Sequence, residues 1–252
     1  MNASLQRGNR VGGPESSLAG RAKMPSPETY EQEYVYWPWG RVLAEAVEIV
    51  VARTPPSGLV VDYMCGTGFL LSKVVSKRQD LSALGCDINE QYIDYARRVY
   101  PEVNFVVDDA RTYEPARRPD LLVCTAGVHH LARSDQPAFI AKVSRELPSG
   151  GCLVLGEELI GDYIDEPQRK RRVLEMFGEL MFFLEKTRAP EDVVEAAADM
   201  FVNEWCARGE FKTSRAELEG MLDPYFRIVS ARQIWPRKAS GFDDWLFVCQ
   251  KK

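Results

Sequence analysis

Histidine is scarce in this chain and paired cysteines are missing. Its 252 residues hold two histidines, side by side at 129 and 130, so imidazole chemistry is confined to one point. The six cysteines, at 65, 86, 124, 152, 206 and 249, form no C-x-x-C pair, which argues against a zinc site, and no metal is expected. Several lie in apolar runs, where a free thiol acts as a small hydrophobe, and a reducing cytoplasm is the simplest setting. No apolar run approaches the ~20 residues that span a bilayer. The N-terminus lacks the apolar core of a signal peptide. Basic residues are outnumbered: 32 Lys and Arg against 37 Asp and Glu give a net charge of −5. Proteins that track a phosphate backbone need clustered cations, and here only "QRKRRVLE" (168–175) is locally basic. There are no internal repeats.

What is present is an ordinary globular composition, 45% hydrophobic and 27% charged, in a length that suits one large α/β domain or two small ones. Residues 1–26, rich in Gly, Ser, Asn, Arg and Pro, read as a disordered leader. "YEQEYVYWPWG" then gathers five aromatics and leads into "RVLAEAVEIVVARTP", apolar at helical spacing and stopped by Pro55 and Pro56. From there short apolar runs alternate with helical patterns. "GLVVDYM", "LSALGCDI", "VNFVVDDA", "PDLLVCTAGV" and "CLVLGEEL" are the strands. "FLLSKVVSKRQ", "NEQYIDYARRVYP" (with Asn89 as N-cap) and "DQPAFIAKVSRELPSGG" are the helices. This alternation predicts a parallel sheet covered on both faces, with ligands beyond the carboxyl ends of its strands.

After Gly161 the alternation stops. Residues 166–188 and 190–209 read as two amphipathic helices, a helical insertion at 162–212. The apolar run from Met176 to Leu184 is expected to pack on the sheet, to roof a ligand pocket, or to form a dimer contact. "TSRAELEGMLDPYF" is a capped helix starting at Thr213 or Ser214, and "FRIVSARQIW" and "DWLFVCQKK" close the chain as an antiparallel pair. The expected fold class is α/β: a Rossmann-like, seven-stranded, mostly parallel sheet.

The strand ends carry the chemistry. In "VVDYMCGTGF" Gly66 and Gly68 allow a tight turn and close backbone approach. Asp87 ends the second strand, where a carboxylate can accept both ribose hydroxyls. Asp109 can accept from an adenine amino group and the Ala110 amide can donate to a ring nitrogen. The carbonyls of "CTAG" can face a cationic amine. The series in order is far more specific than any one member, since each acid alone is more often a cap or a solvated turn residue. A dinucleotide site is disfavoured, because the third glycine of G-x-G-x-x-G is replaced by Leu71.

With "VVDYMCGTGF", "GCDIN", "VVDDA", "PDLLVCTAGVHHL" and "LPSGGCLVL", the chain resembles class I S-adenosylmethionine-dependent methyltransferases over residues 40–160 and, less closely, in its final helix and strands. The resemblance implies S-adenosylmethionine as cofactor. Asp62, Met64, Gly66 and Gly68 would face its methionine part. Asp87 would hold the ribose, Ile88 would pack on adenine, Asp109 with Ala110 would read the adenine edge, and Thr125 and Ala126 would offer backbone to the amino end. Family members usually have Gly where this chain has Met64. A side chain there is expected to require a negative φ, with the loop keeping its shape.

Methyl transfer from a sulfonium needs mainly alignment in a water-poor pocket, and a base only if the acceptor must lose a proton. His129 is the preferred general base, with His130 beside it; either also suits a capping or packing role. Glu157 and Glu158 end the fifth strand, and since adjacent strand residues face opposite ways, at most one faces the pocket. Glu157 is taken as the candidate. Tyr30 and Tyr34, four apart, would form an aromatic lid within residues 27–55 or simply anchor the first helix. The expected reaction is methylation of O, N or C in a small molecule, in secondary metabolism, with no nucleic acid or membrane partner and a homodimer as a possible assembly. The alternatives are an RNA or protein methyltransferase, a non-methylating enzyme that uses the bound sulfonium, and an interaction protein with a decayed site.

Overall fold

Val60 and Val61 are neighbours in sequence and belong to different cores, one on each side of a sheet. That is the two-residue periodicity of a strand buried on both faces, and β1 (Leu59–Tyr63) is buried at every position. The computed structural model describes residues 24–236 and 242–252. Most of the leader expected at 1–26 lies outside the described residues, but Ser26 is placed: it caps the first helix by accepting from Thr29 N.

Seven strands form one sheet in the order β3-β2-β1-β4-β5-β7-β6. β2 (Ser82–Asp87), β3 (Asn104–Val107), β4 (Leu121–Thr125) and β5 (Cys152–Ile160) run parallel with β1. β6 (Phe226–Trp235) and β7 (Phe242–Lys251) add the antiparallel edge. Helices α2 (Trp39–Arg53), α3 (Phe69–Lys77) and α4 (Glu90–Val99) bury their apolar sides on one face. α5 (Gln136–Glu146) and α8 (Arg215–Leu222) cover the other. The fold class expected from the alternation is the one observed.

The caps follow the side chains. Asn89 accepts from the amides of Gln91 and Tyr92 at the start of α4. Ser214 and Glu217 close a reciprocal capping box on α8. The aromatic leader is a helix of its own, α1 (Pro27–Tyr36), separated from α2 because Pro38 forces Trp37 into extended backbone. After β5 come α6 (Glu166–Thr187) and α7 (Glu191–Trp205). In α6, Met176, Phe177, Leu180 and Leu184 are buried, whereas Met181 and Phe182 are 37% and 53% exposed. The cysteine thiols of Cys86 and Cys249 are pushed up to about 12, chiefly by burial, as expected for thiols that act as hydrophobes. Among the described residues no helix is long and apolar enough to cross a membrane.

Candidate active site

β1 lies between β2 and β4, so the sheet changes its direction of winding there. Open α/β sheets form their ligand crevice at such a switch point, beyond the strands' carboxyl ends. The loops after β1 and β4 meet at it. The first loop is tied to β2: the amides of Met64 and Cys65 donate to Cys86 O at 2.8 and 3.2 Å, and Gly66 N donates to Asp87 Oδ2 at 2.9 Å. Gly66 and Gly68 have φ of 55° and 80°. A Cβ on Gly66 would lie 2.8 Å from the Tyr30 ring, and one on Gly68 2.4 Å from Phe105.

Met64 corrects the sequence expectation. Its φ is +58°, in the left-handed region, not negative. That conformation costs about 1–2 kcal/mol for an L-residue. The two loop amides bonded to Cys86 O fix the turn. Packing of the side chain against the β4 loop helps offset the strain, since a Cβ on Gly127 would sit 3.3 Å from Met64 Sδ. The methionine thus bridges the two loops of the crevice.

The other strand-end residues are arranged as follows. Asp87 is 9% exposed and accepts from Gly66 N and, at 2.8 Å, from Asn89 N; burial raises its pKa, and these amides partly counter the rise. Asp62 Oδ1 is buried without a hydrogen-bond partner among the described residues, and burial, with the Asp87 charge, lifts its pKa well above the usual range. Ile88 is 44% exposed, an apolar side chain left open beside Asp87. Ala126 is left-handed at φ 51° and, next to Thr125 at the end of β4, donates its amide to Gly156 O at 3.0 Å. Ala110 is buried. Asp109 is not open to the crevice as a free acceptor: Arg111 grips it through Nε and Nη2, at 3.0 and 2.6 Å, and reaches Asp135 as well.

A cavity opens next to Ala126. α1 supplies Tyr30, Glu33 and Tyr34, and Trp37 and Trp39 continue its wall. Tyr30 stacks on Tyr92 at 4.9 Å and Tyr34 tilts onto Phe69 at 4.9 Å. α7 contributes Ala196, Met200 and Asn203. The apolar residues of α6 pack inward against the sheet side, so α7, not α6, faces the cavity.

The expected catalytic trio is redistributed. Glu157 is 2% exposed and saturated: Oε1 accepts from the amides of Gly127 and Val128 at 3.1 and 2.7 Å, and Oε2 lies 2.6 Å from His129 Nδ1. It organises the short 3-10 turn at Val128–His130 and does not face the cavity, which corrects its assignment as a catalytic group. Glu158, its neighbour, lines the cavity instead. His130 would be held low by burial, yet the Glu210 carboxylate, 3.2 Å away, and Gly209 O raise its pKa to about 9. It is therefore protonated at neutral pH and unsuited to accept a proton. His129 is buried, with Nε2 turned toward Glu210 at 3.5 Å.

Glu33, Glu210 and Lys212 were not foreseen. Lys212 is fully buried, 2.9 Å from Glu210 and 3.0 Å from Glu158. The pair Glu210–Lys212 gave no sequence signal, being in a loop some 80 residues from the histidines. Glu33 did give one: Tyr30, Glu33, Tyr34 and Trp37 are spaced i, i+3, i+4, i+7, a single helical face. His129, His130 and Glu210 bring ligand atoms within 4.8 Å of one another, a spacing open to a cation, but the Lys212 ammonium already sits against Glu210.

A family model described as a methyltransferase domain matches residues 60–151. A trans-aconitate 2-methyltransferase of Methylobacterium radiotolerans is 28% identical over 108 residues, 42% of this chain and 41% of the relative. Another from an Azoarcus species is 27% identical over 146 residues, 57% and 55% of the two chains. The chain thus aligns with about half the length of the curated relatives it matches. The structure of the N-methyltransferase NodS from Bradyrhizobium japonicum, in complex with S-adenosyl-L-homocysteine, superposes with a TM-score of 0.58 at 13% identity, covering 90% of this chain and 98% of that one, which is a likeness of fold. The crevice residues fit the adenosyl cofactor of this fold: a glycine turn with no room for a Cβ, an unpartnered buried oxygen on Asp62, and an open apolar side chain beside Asp87. Residues 60–151 thus match a methyltransferase domain, and the sheet they help build is similar to that of S-adenosylmethionine-dependent methyltransferases.

Proposed function

We propose that the protein transfers a methyl group to a small molecule held in the cavity beside Ala126. The observation that carries this reading is the position of that cavity. It opens at the switch point, next to the glycine turn, and is walled by α1 and α7. Such enclosure suits a small acceptor better than a polymer, and its glutamate-rich wall suits no phosphate backbone. The curated relatives carry the name of a small-molecule methyltransferase, which agrees with this reading. A role in secondary metabolism is part of the proposal.

When bound, the cofactor supplies an already activated methyl group. The rest is positioning. Asp87, fixed by the amides of Gly66 and Asn89, keeps lone pairs for a ribose diol. Asp62 offers its unpartnered oxygen to the methionine end. Tyr30 and Tyr34 lie over the glycine turn and, with Trp37 and Trp39, keep water from the reacting atoms. The Glu157–His129 contact holds the turn after β4 in register with the crevice.

Calorimetric titration with S-adenosylhomocysteine tests the reading. Wild-type protein is expected to bind it, and Asp87→Ala to lose about 1–3 kcal/mol of affinity by leaving the diol unpaired. No binding to wild type would overturn the proposal. Unchanged affinity in Asp87→Ala would place the ribose elsewhere.

A further inference from the structure

Three glutamates, Glu33, Glu158 and Glu210, line one cavity. Two have a partner, since Lys212 pairs with both Glu158 and Glu210. Glu33 has none. It is 6% exposed, faces the cavity, and its carboxylate makes no hydrogen bond or ion pair among the described residues. Burial, and then the charges of Glu158 and Glu210, push its pKa well above the usual range. A buried carboxylate without a partner is costly, and a chain that keeps one facing a cavity leaves the partner to be supplied from outside.

The surroundings decide the sign and shape of that partner. The three glutamates of the lining face one lysine and one protonated histidine, so negative charge is in excess. Trp37 and Trp39 line the same cavity as Glu33, and aromatic ring faces attract cations. An anionic acceptor would meet these carboxylates while the one nearby ammonium, Lys212, is already engaged. The curated relatives are named for trans-aconitate, a polycarboxylate, and this cavity is the wrong sign for it.

We infer that the acceptor is an amine that enters as its ammonium and is held by Glu33 between the tryptophan and tyrosine side chains. This rests on the methyltransferase reading above and names the substrate class of the same cavity. The chemistry balances. The ammonium gives a proton to the Glu33 carboxylate and frees the nitrogen lone pair. That pair becomes the N–CH3 bond as the methyl's bond to sulfur breaks, its electrons staying on sulfur. The methylated amine leaves as a cation, and Glu33 returns its proton to solvent.

Three aromatic probes of matched size separate the outcomes: 2-phenylethylamine, 2-phenylethanol and 3-phenylpropionate, each titrated calorimetrically into the protein saturated with S-adenosylhomocysteine. The amine is expected to bind at least ~10-fold tighter than the alcohol or the acid. Glu33→Gln is expected to erase that preference and to keep S-adenosylhomocysteine affinity within about twofold of wild type, since the substitution preserves shape and leaves the glycine turn untouched. Equal or tighter binding of 3-phenylpropionate by wild type overturns the inference whatever the variant does. So does an amine affinity unchanged in Glu33→Gln, or a variant that loses the cofactor product, which would assign Glu33 to the cofactor. Failure of the wild type to bind S-adenosylhomocysteine strikes the methyltransferase reading itself, a distinct result from cofactor binding without amine selectivity.

Discussion

Of two buried polar networks among the described residues, one around Tyr63 and one around the cavity, only the first is balanced. Around Tyr63, Lys142 Nζ sits 2.7 Å from Glu146 and donates to the Tyr63 hydroxyl at 3.1 Å; that hydroxyl donates back to Glu146 at 2.8 Å. One cation, one anion and one hydroxyl close a ring with nothing left over. Around the cavity, Glu33, Glu158 and Glu210 outnumber Lys212 and the protonated His130, and Glu33 stands alone. The closed ring is what folding alone produces, since every buried charge must be satisfied. The open cluster departs from that rule at the place where the sheet's topology puts a ligand. The lesson is that an imbalance of charge, more than the presence of charge, marks the site.

The comparison can be broken most severely at the two lysines. Lys212→Met strands Glu158 and Glu210 and is expected to cost about 3–5 kcal/mol in urea unfolding. Lys142→Met is expected to cost about 2 kcal/mol, because Glu146 keeps the Tyr63 hydroxyl and lies nearer to solvent. Equal losses would show that the cavity cluster is no more strained than the ring. Removing acids should give opposite signs. Glu146→Gln is expected to destabilise by about 1–3 kcal/mol, and Glu33→Gln to stabilise by about 1 kcal/mol at pH 8, as it abolishes an unpaired buried charge. A loss of stability in Glu33→Gln would reveal a partner for it.

The smallest effect is in pH. His130 has a pKa raised to about 9, so its contact with Glu210 contributes stability that is fully present below the unfolded pKa of about 6.5 and is lost as pH rises through about 9. The difference in unfolding free energy between wild type and His130→Gln is expected to shrink by about 1–2 kcal/mol between pH 6.5 and 9.5. A difference that stays flat across this range would mean that His130 is not charged by Glu210.

Much of the sheet could be read along the chain because its signals are local. The alternation of apolar runs with capped helices gave seven strands, and Asn89 and Ser214 cap where their side chains allow. Where the expected site follows a strand end, the structure brings its residues together, as Gly66 N donates to Asp87 Oδ2. It was misread where a partner comes from far away. Glu157 looks like a free acid at the end of β5 until β4's turn closes on it, and Asp109 looks open until Arg111 folds back. Met64 was expected to need a negative φ because sterics allow an L-residue little else in isolation, yet hydrogen bonds to Cys86 O and packing at Gly127 hold it left-handed.

By itself, then, the sequence determined the order of strands and helices, the glycine turn and the identity of the strand-end acids, since each depends on side chains within a few residues. Tertiary structure alone decided which acids are spent on folding and which face the cavity. Glu33, Glu158 and Glu210 come from three distant segments, and Lys212 selects between them. The physical reason is that a buried charge is judged by its surroundings, and those are assembled only when the chain closes.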